Sequence, residues 1–412
     1  MEKPNKFGNI NYYLYFCIRI TNEMKRICFL VDSIFTIGGV QRVTAVIAGA
    51  LSKDYDVTIM TFDKPDMKDF SIYQLADYPI KYQFVSYPEI SPTKDKLCKV
   101  YSYLYRKVLP QCKLTSDLYA HSSFPKEKRE ALSIILQEGQ YDIVIGVHSF
   151  LAIRLATIKK ELGKTKVIGW IHNSFDALLK DGSPYLGTEL KYHYGRQLQK
   201  LDEVVVLYRQ DAEMYQQAFG FMPSTIYNPL TLKSGPKSDG NEKKFLAVGR
   251  FSPMHKGFDL LIQAFALFAQ KNLDWRLDIV GDGPEKEKME RLIVENGMNE
   301  RIKLHPFTND IQTYYSSASV YVLSSRWEGM PLVLVEAMSH GLPVIASDLP
   351  TCQEVLSDFG LFFKNGDIYE LVQRLEDATH LDWQKKSEEA IKIAQRFDIN
   401  KIAGQWKLLI EK

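Results

Sequence analysis

Val320-Tyr-Val-Leu-Ser-Ser-Arg-Trp-Glu-Gly-Met-Pro-Leu-Val-Leu-Val-Glu336 runs from one apolar stretch, through a short polar loop, into a second apolar stretch that continues to His340. The first reads as a buried strand over 320–323 and the second as a helix over 333–340. Glu328 then stands on the loop above the strand, and Glu336 two turns into the helix, with seven residues between the two carboxylates. Between them lie the backbone N–H groups of a helix start. These have no partner inside the helix and sit at the positive end of its dipole, so they hold a phosphate well. Two carboxylates for sugar hydroxyls beside such a helix end suit a nucleotide-sugar.

The same strand-then-helix unit recurs outward in both directions. Apolar runs at 26–32, 56–62, 142–147, 166–172 and 203–207 alternate with helix-like segments such as 40–52. Continuous Val/Ile/Leu runs separated by helices predict a parallel sheet covered on both faces. Asn228-Pro229 and the polar, Gly/Pro-rich stretch 233–242 form the best linker. A second series follows: strands at 244–248, 276–280, 301–304, 320–323 and 343–346, helices at 258–270, 285–295, 311–317 and 332–340. The last segment, 402–410 with Trp406, is amphipathic and has no strand after it. The expected class is α/β, with two Rossmann-like doubly wound domains facing a cleft. The divisions are an N-terminal extension (1–23), a first domain (24–227), a second (228–395) and a terminal helix (396–412).

Composition agrees. At 412 residues the chain exceeds what one core usually covers. A net charge of +2 makes no global case for nucleic acid. No apolar run approaches the ~20 residues needed to span a bilayer. The apolar segment at 12–18 is interrupted by Arg19 and lacks a convincing cleavage site, so residues 1–23 are expected to be a loosely attached extension rather than a signal peptide. Five scattered cysteines without metal-ligand spacing suit reduced thiols in a cytoplasmic protein.

Candidate site residues cluster after strands. Gly249, Arg250, Lys256 and Gly257 share one loop, where two cations would neutralise a diphosphate; a solvated basic loop is the plainer alternative. Gly281-Asp-Gly-Pro284 reads equally as a turn entering a helix capped by Asp282. His305-Pro-Phe307 ends a strand and would line a base pocket through its backbone. In the first domain, Thr36-Ile-Gly-Gly-Val-Gln-Arg42 joins the first strand to the first helix, and Gly38 and Gly39 let backbone come close to a phosphate or sugar. His148 and His172 each follow a strand at the end where a substrate would lie, although such histidines are often plain surface residues.

These motifs resemble the large family four of retaining glycosyltransferases, with the GT-B architecture. The resemblance runs from Met24 to the C-terminus. It is strongest over 245–360: Gly-Arg…Lys-Gly, Gly-Asp-Gly, Glu-Gly-Met-Pro-Leu…Glu-Ala-Met, Gly-Leu-Pro-Val-Ile-Ala-Ser-Asp and Glu354. It implies that the first domain binds the acceptor and the second the donor, and that the terminal helix crosses back onto the first domain. It also implies donor contacts from Gly249, Arg250, Lys256, Glu328, Gly329, Met330, Pro331, Leu332, Glu336 and Phe307. Arg250 and Lys256 would take the diphosphate, Glu328 the sugar, Glu336 the ribose and the backbone of 329–332 the phosphate oxygens. His148 matches the N-domain histidine beside the sugar ring. Gly38, Gly39, Gln41 and His172 would form the acceptor and phosphate loop. One extra residue lies between Arg250 and Lys256, a departure such loops are expected to absorb. The resemblance implies no cofactor and no bound metal, and the donor, with UDP favoured over GDP or ADP, is a co-substrate. A sugar-nucleotide epimerase or a non-catalytic glycan-binding subunit would share the architecture.

The acceptor side carries its own signal. Lys94, Lys96, Lys99, Arg106, Lys107 and Lys113 stand against one acid, Asp95, with Tyr101, Tyr103, Leu104, Tyr105, Val108 and Leu109 interleaved. This suits an amphipathic face on anionic lipid, with a solvated, aromatic-packed helix as the alternative. A glycan or lipid-linked acceptor at the inner face of the cell membrane fits this reading, as in similar bacterial enzymes that build polysaccharide repeat units on lipid carriers.

Overall fold

The computed structural model describes residues 24–233 and 235–412; the extension expected at 1–23 lies outside the described residues. The first domain runs β1 (Arg26–Val31), α1 (Gly39–Leu51), β2 (Asp56–Thr61), β3 (Lys81–Phe84), α2 (Pro92–Lys107), α3 (Lys113–Ser123) and α4 (Lys126–Glu138). It continues through β4 (Ile143–Val147), α5 (Ser149–Ile158), β5 (Lys166–Trp170), α6 (Phe175–Leu179), α7 (Lys191–Leu198), β6 (Glu203–Val206), α8 (Arg209–Phe219) and β7 (Ser224–Thr225). The second contains β8 (Lys244–Val248), α9 (Pro253–Lys256), α10 (Phe258–Phe268), β9 (Arg276–Val280), α11 (Lys286–Glu295), β10 (Ile302–His305) and α12 (Ile311–Ser316). After these come β11 (Val320–Leu323), α13 (Leu332–Ser339), β12 (Val344–Ser347), α14 (Pro350–Leu356), β13 (Leu361–Phe363), α15 (Ile368–Ala378), α16 (Trp383–Ala394) and α17 (Ile399–Glu411).

Each domain holds one parallel sheet, in the orders β3-β2-β1-β4-β5-β6-β7 and β10-β9-β8-β11-β12-β13. Central strands are apolar throughout because helices cover both faces: Ile27, Cys28, Phe29 and Leu30 of β1 are fully buried, as are Phe245, Leu246 and Ala247 of β8. In both orders the chain starts in the middle, works to one edge, then returns past the first strand. This leaves a crevice at the carboxyl ends of the strands flanking the reversal, where ligands of such sheets bind.

Helix α17 crosses back to the first domain. Trp406 is fully buried against Trp170 of β5, with ring centroids 4.8 Å apart. Lys166 donates to the Leu409 carbonyl at 2.7 Å, and Lys25 pairs with Glu411. One buried apolar cluster therefore joins the domains, from Val43 and Ile47 through Trp170 and Trp406 to Leu334 and Val335. Glu354 of α14 adds a polar link, accepting the Arg209 N–H at the start of α8 (2.8 Å) and the Tyr227 hydroxyl (2.6 Å).

Three details depart from expectation. Asp282 does not cap α11, whose N-cap is Glu285; its carboxylate accepts the Gly283 N–H instead. Glu336 is the fifth residue of α13, in its second turn rather than two full turns in. The basic stretch 94–113 is not one surface helix but α2 and the first residue of α3, packed as a hairpin.

Candidate functional site

Two helix starts meet across the cleft. α1 begins at Gly39 and α13 at Leu332, and neither has a side chain capping its N-terminus. Gly39, Val40 and Leu332 line one cavity of about 270 Å³ between the domains. Its walls also include His172, Asn173, Ser174 and Tyr185 of the first domain, Asn228 of the linker, and His255, Trp327, Glu328, Gly329 and Met330 of the second. Two positive dipole ends aimed at one space favour an anion there.

Glu328 is held rigidly at this wall. Its carboxylate accepts from Lys256 Nζ and from Ser325 Oγ, both at 2.7 Å. Burial opposes its ionisation, but the Lys256 and His255 charges and these hydrogen bonds outweigh that, so the carboxyl stays below its ordinary range. The Arg250–Lys256 loop ends in the short helix α9. This stacks the His255 ring on Trp327 (centroids 4.8 Å, planes 13° apart) and carries Lys256 to Glu328. Gly257 at φ 66 closes that turn; a Cβ there would overlap the Ser324 carbonyl. Arg250 is exposed and makes no ion pair among the described residues.

Glu336 behaves differently. It is 1% exposed and does not line the cavity. Its carboxylate accepts from Tyr315 (3.0 Å) and Thr231 (3.3 Å), and is ion-paired with Arg42 of α1 in the opposite domain. The Arg42–Glu336 ion pair across the two domains is a contact that sequence reasoning missed. The Gly-Gly turn marked the loop of Arg42, yet nothing local marked its partner.

Of the two histidines, the cavity wall takes His172. His148 lies behind it, ring centroids 5.5 Å apart, at a left-handed φ of 80 that a non-glycine residue rarely adopts. Burial pushes both imidazoles below the ordinary histidine pKa, His172 furthest, and the neighbouring His148 adds to that shift. Two buried polar atoms on cavity residues, His172 Nε2 and Asn228 Oδ1, have no hydrogen-bond partner among the described residues. Buried polar atoms are normally satisfied. Gln41 folds over Gly38. Pro331 is the N-cap of α13. Gly249 packs against the stem of Lys256. Phe307 is 48% exposed and stands away from the cavity lining. Among the described residues no group of three or more His, Cys, Asp or Glu is arranged to hold a metal ion.

Comparison with known proteins bears on the family and the fold. Residues 231–397 match the family described as glycosyl transferases group 1. A Haemophilus influenzae uncharacterized glycosyltransferase is 29% identical over 93% of this chain and 99% of its own length. The amylovoran biosynthesis glycosyltransferase AmsD of Erwinia amylovora is 25% identical over 82% of this chain and 85% of its own. Among solved structures, Anabaena HepE in complex with UDP and glucose superposes with a TM-score of 0.70 at 20% identity, covering 94% of this chain and 100% of that one. The family match and the relatives support a glycosyltransferase, and the shared fold is of GT-B type.

Proposed function

We propose that this chain transfers a sugar from a nucleotide-sugar, with UDP as the nucleotide, to a hydroxyl of a lipid-linked glycan, retaining configuration at the anomeric carbon. The observation that carries this reading is the meeting of two uncapped helix starts beside the buried Glu328–Lys256 pair and the two orphaned polar atoms. The diphosphate lies between the helix starts, with Arg250 and Lys256 as counter-charges. Glu328 and the orphaned His172 and Asn228 atoms meet the sugar hydroxyls. Glu336 exchanges its contact with Arg42 for the ribose, so donor entry requires the domains to move. The bound UDP and glucose of HepE agree with this reading, as does the polysaccharide role of the Erwinia amylovora relative.

Glu328 is tied to Lys256 and Ser325 and is not a free nucleophile of the kind a two-carboxylate glycosidase uses. The chemistry assigned is a front-face displacement. The acceptor oxygen bonds to the anomeric carbon as the sugar–phosphate bond breaks, and its proton passes to the departing diphosphate oxygen. The protein contributes position and charge stabilisation and uses no resident metal. The α2–α3 hairpin is assigned to the cytoplasmic face of the membrane, with Leu97, Val100, Tyr103, Val108, Leu114 and Leu118 exposed on it.

The decisive measurement is nucleotide release from UDP-sugars with and without lipid-linked acceptors, with and without chelator. Acceptor-dependent, chelator-insensitive release is expected, and Arg250→Ala or Lys256→Ala should slow it on the order of 10²-fold. Donor conversion without acceptor would indicate an epimerase instead. Near-normal turnover in both variants would remove the donor-site assignment.

A further inference from the structure

The carboxyl edge of the first sheet holds a second cluster, outside the cavity lining. Arg154 of α5 points back toward the start of its helix, as long helical side chains do. Its guanidinium lies 3.7 Å from the Phe150 ring centroid, 5.0 Å from Tyr87 and 5.3 Å from Phe124. Tyr87 follows β3, and its ring packs on Phe62, which follows β2, at 4.7 Å. Lys128 of α4 places its Nζ 5.8 Å from the same Tyr87 ring. Two cations therefore share one aromatic ring.

Neither cation has an ion pair among the described residues. Arg154 uses one of its five N–H donors, Nη1 to the Tyr87 hydroxyl at 3.2 Å. Burial lowers its pKa from the ordinary arginine value, while Tyr87 and the charge of Asp32 pull it back. Asp32, just past β1, acts on His148 as well, so the cluster adjoins the histidines beside the cavity. Phe150, two residues after His148, is 50% exposed. A half-buried guanidinium with unused donors, facing the same ring as a second cation and with only the charge of Asp32 acting against its own, gains from a further anion. A phosphate meets both needs, because its oxygens take a guanidinium fork bidentately and its double charge suits two cations.

We propose that Arg154 and Lys128, caged by Tyr87, Phe124 and Phe150, bind a phosphate or diphosphate group of the acceptor. This rests on the transferase reading and specifies its acceptor as phosphate-bearing. The phosphate would belong to the molecule that enters the cleft, not to the bilayer surface that meets the α2–α3 hairpin.

The test uses the full chain with UDP saturating, inorganic pyrophosphate as titrant, and sedimentation with phosphatidylglycerol/phosphatidylcholine vesicles as a second arm. Arg154→Met keeps the apolar stem inside the aromatic cage and removes the charge. It should weaken pyrophosphate binding about tenfold or more, with UDP affinity and vesicle binding unchanged. Lys128→Met should weaken it less, and Arg154→Lys should retain part of it, which separates lost charge from misfolding. Wild-type pyrophosphate affinity in Arg154→Met overturns the proposal. So does a loss confined to vesicle binding, which would make Arg154 a lipid-surface contact. If the wild-type protein fails to bind UDP, the donor reading falls instead, and the pyrophosphate comparison still decides this site because it needs no turnover.

Discussion

At Gly329 the two domains meet backbone to backbone. A Cβ there would overlap the carbonyl oxygen of His172, and neither backbone segment can yield as a flexible side chain would. Gly329→Ala should therefore hold the Glu328 loop away from the first domain. Displacement on the order of 1 Å at a reacting centre costs roughly 10²-fold, so kcat should fall steeply, and UDP affinity should fall with it because the same backbone is assigned to the phosphate. Steady-state kinetics with UDP titration reads this directly, and an Ala variant with wild-type kcat would contradict it. The sequence marked Gly329 as a residue whose backbone faces a phosphate. Its second duty against His172 was illegible, because a contact between distant segments leaves no local pattern. Arg42 makes the same point: its loop was legible from Gly38 and Gly39, whereas its ion pair with Glu336 exists only once two helices from different domains face each other.

Among elements, the parallel strands were the easiest to read. Burial on both faces demands an unbroken apolar run, and β1, β4, β8 and β11 all supply one. The α2–α3 hairpin was harder, since its apolar residues point outward as well as inward. Tyr105 is fully buried, while Leu97 is 70% and Tyr103 64% exposed. The structure also sorts its cations. Lys94 pairs with Glu127, Lys99 with Asp95 and Arg106 with Glu189, whereas Lys96, Lys107 and Lys113 make no ion pair among the described residues. Changing these last three to Glu should abolish sedimentation with anionic vesicles and spare UDP binding; unchanged sedimentation would leave the hairpin as a solvated surface. Helix α17 gives a second prediction. Trp406 fills the seam between α17 and β5, so Trp406→Ala should cost roughly 3–5 kcal/mol. Urea denaturation would measure it, and a loss below about 1 kcal/mol would mean that the seam repacks.

For the whole molecule, acid is the informative variable. Burial lowers the pKa of His121, His148, His172, His255 and His340, and that of His193 to about 4. Between these folded-state values and the ordinary histidine value of about 6.5, the unfolded chain binds more protons than the folded one, so stability falls as pH falls. Asp211 opposes this, since burial raises its carboxyl to about 7 and folding then takes up a proton. One raised carboxyl is set against six histidines. The melting temperature should therefore decline from pH 7 toward pH 5, and a flat or rising profile would show that the histidines are less buried in solution.

The sequence by itself determined the two parallel sheets, the amphipathic last helix and the loops that carry Glu328, Lys256 and Gly39. Periodicity, turn residues and helix starts are local properties, written within a few residues of one another. The tertiary structure decided which side chains face each other across the cleft. It placed His172 on the cavity wall with His148 behind it, gave Glu336 to Arg42, and gathered Arg154, Lys128 and Tyr87 at one sheet edge. Those pairings follow from how two domains pack and how far long side chains reach, which spacing along one chain does not encode.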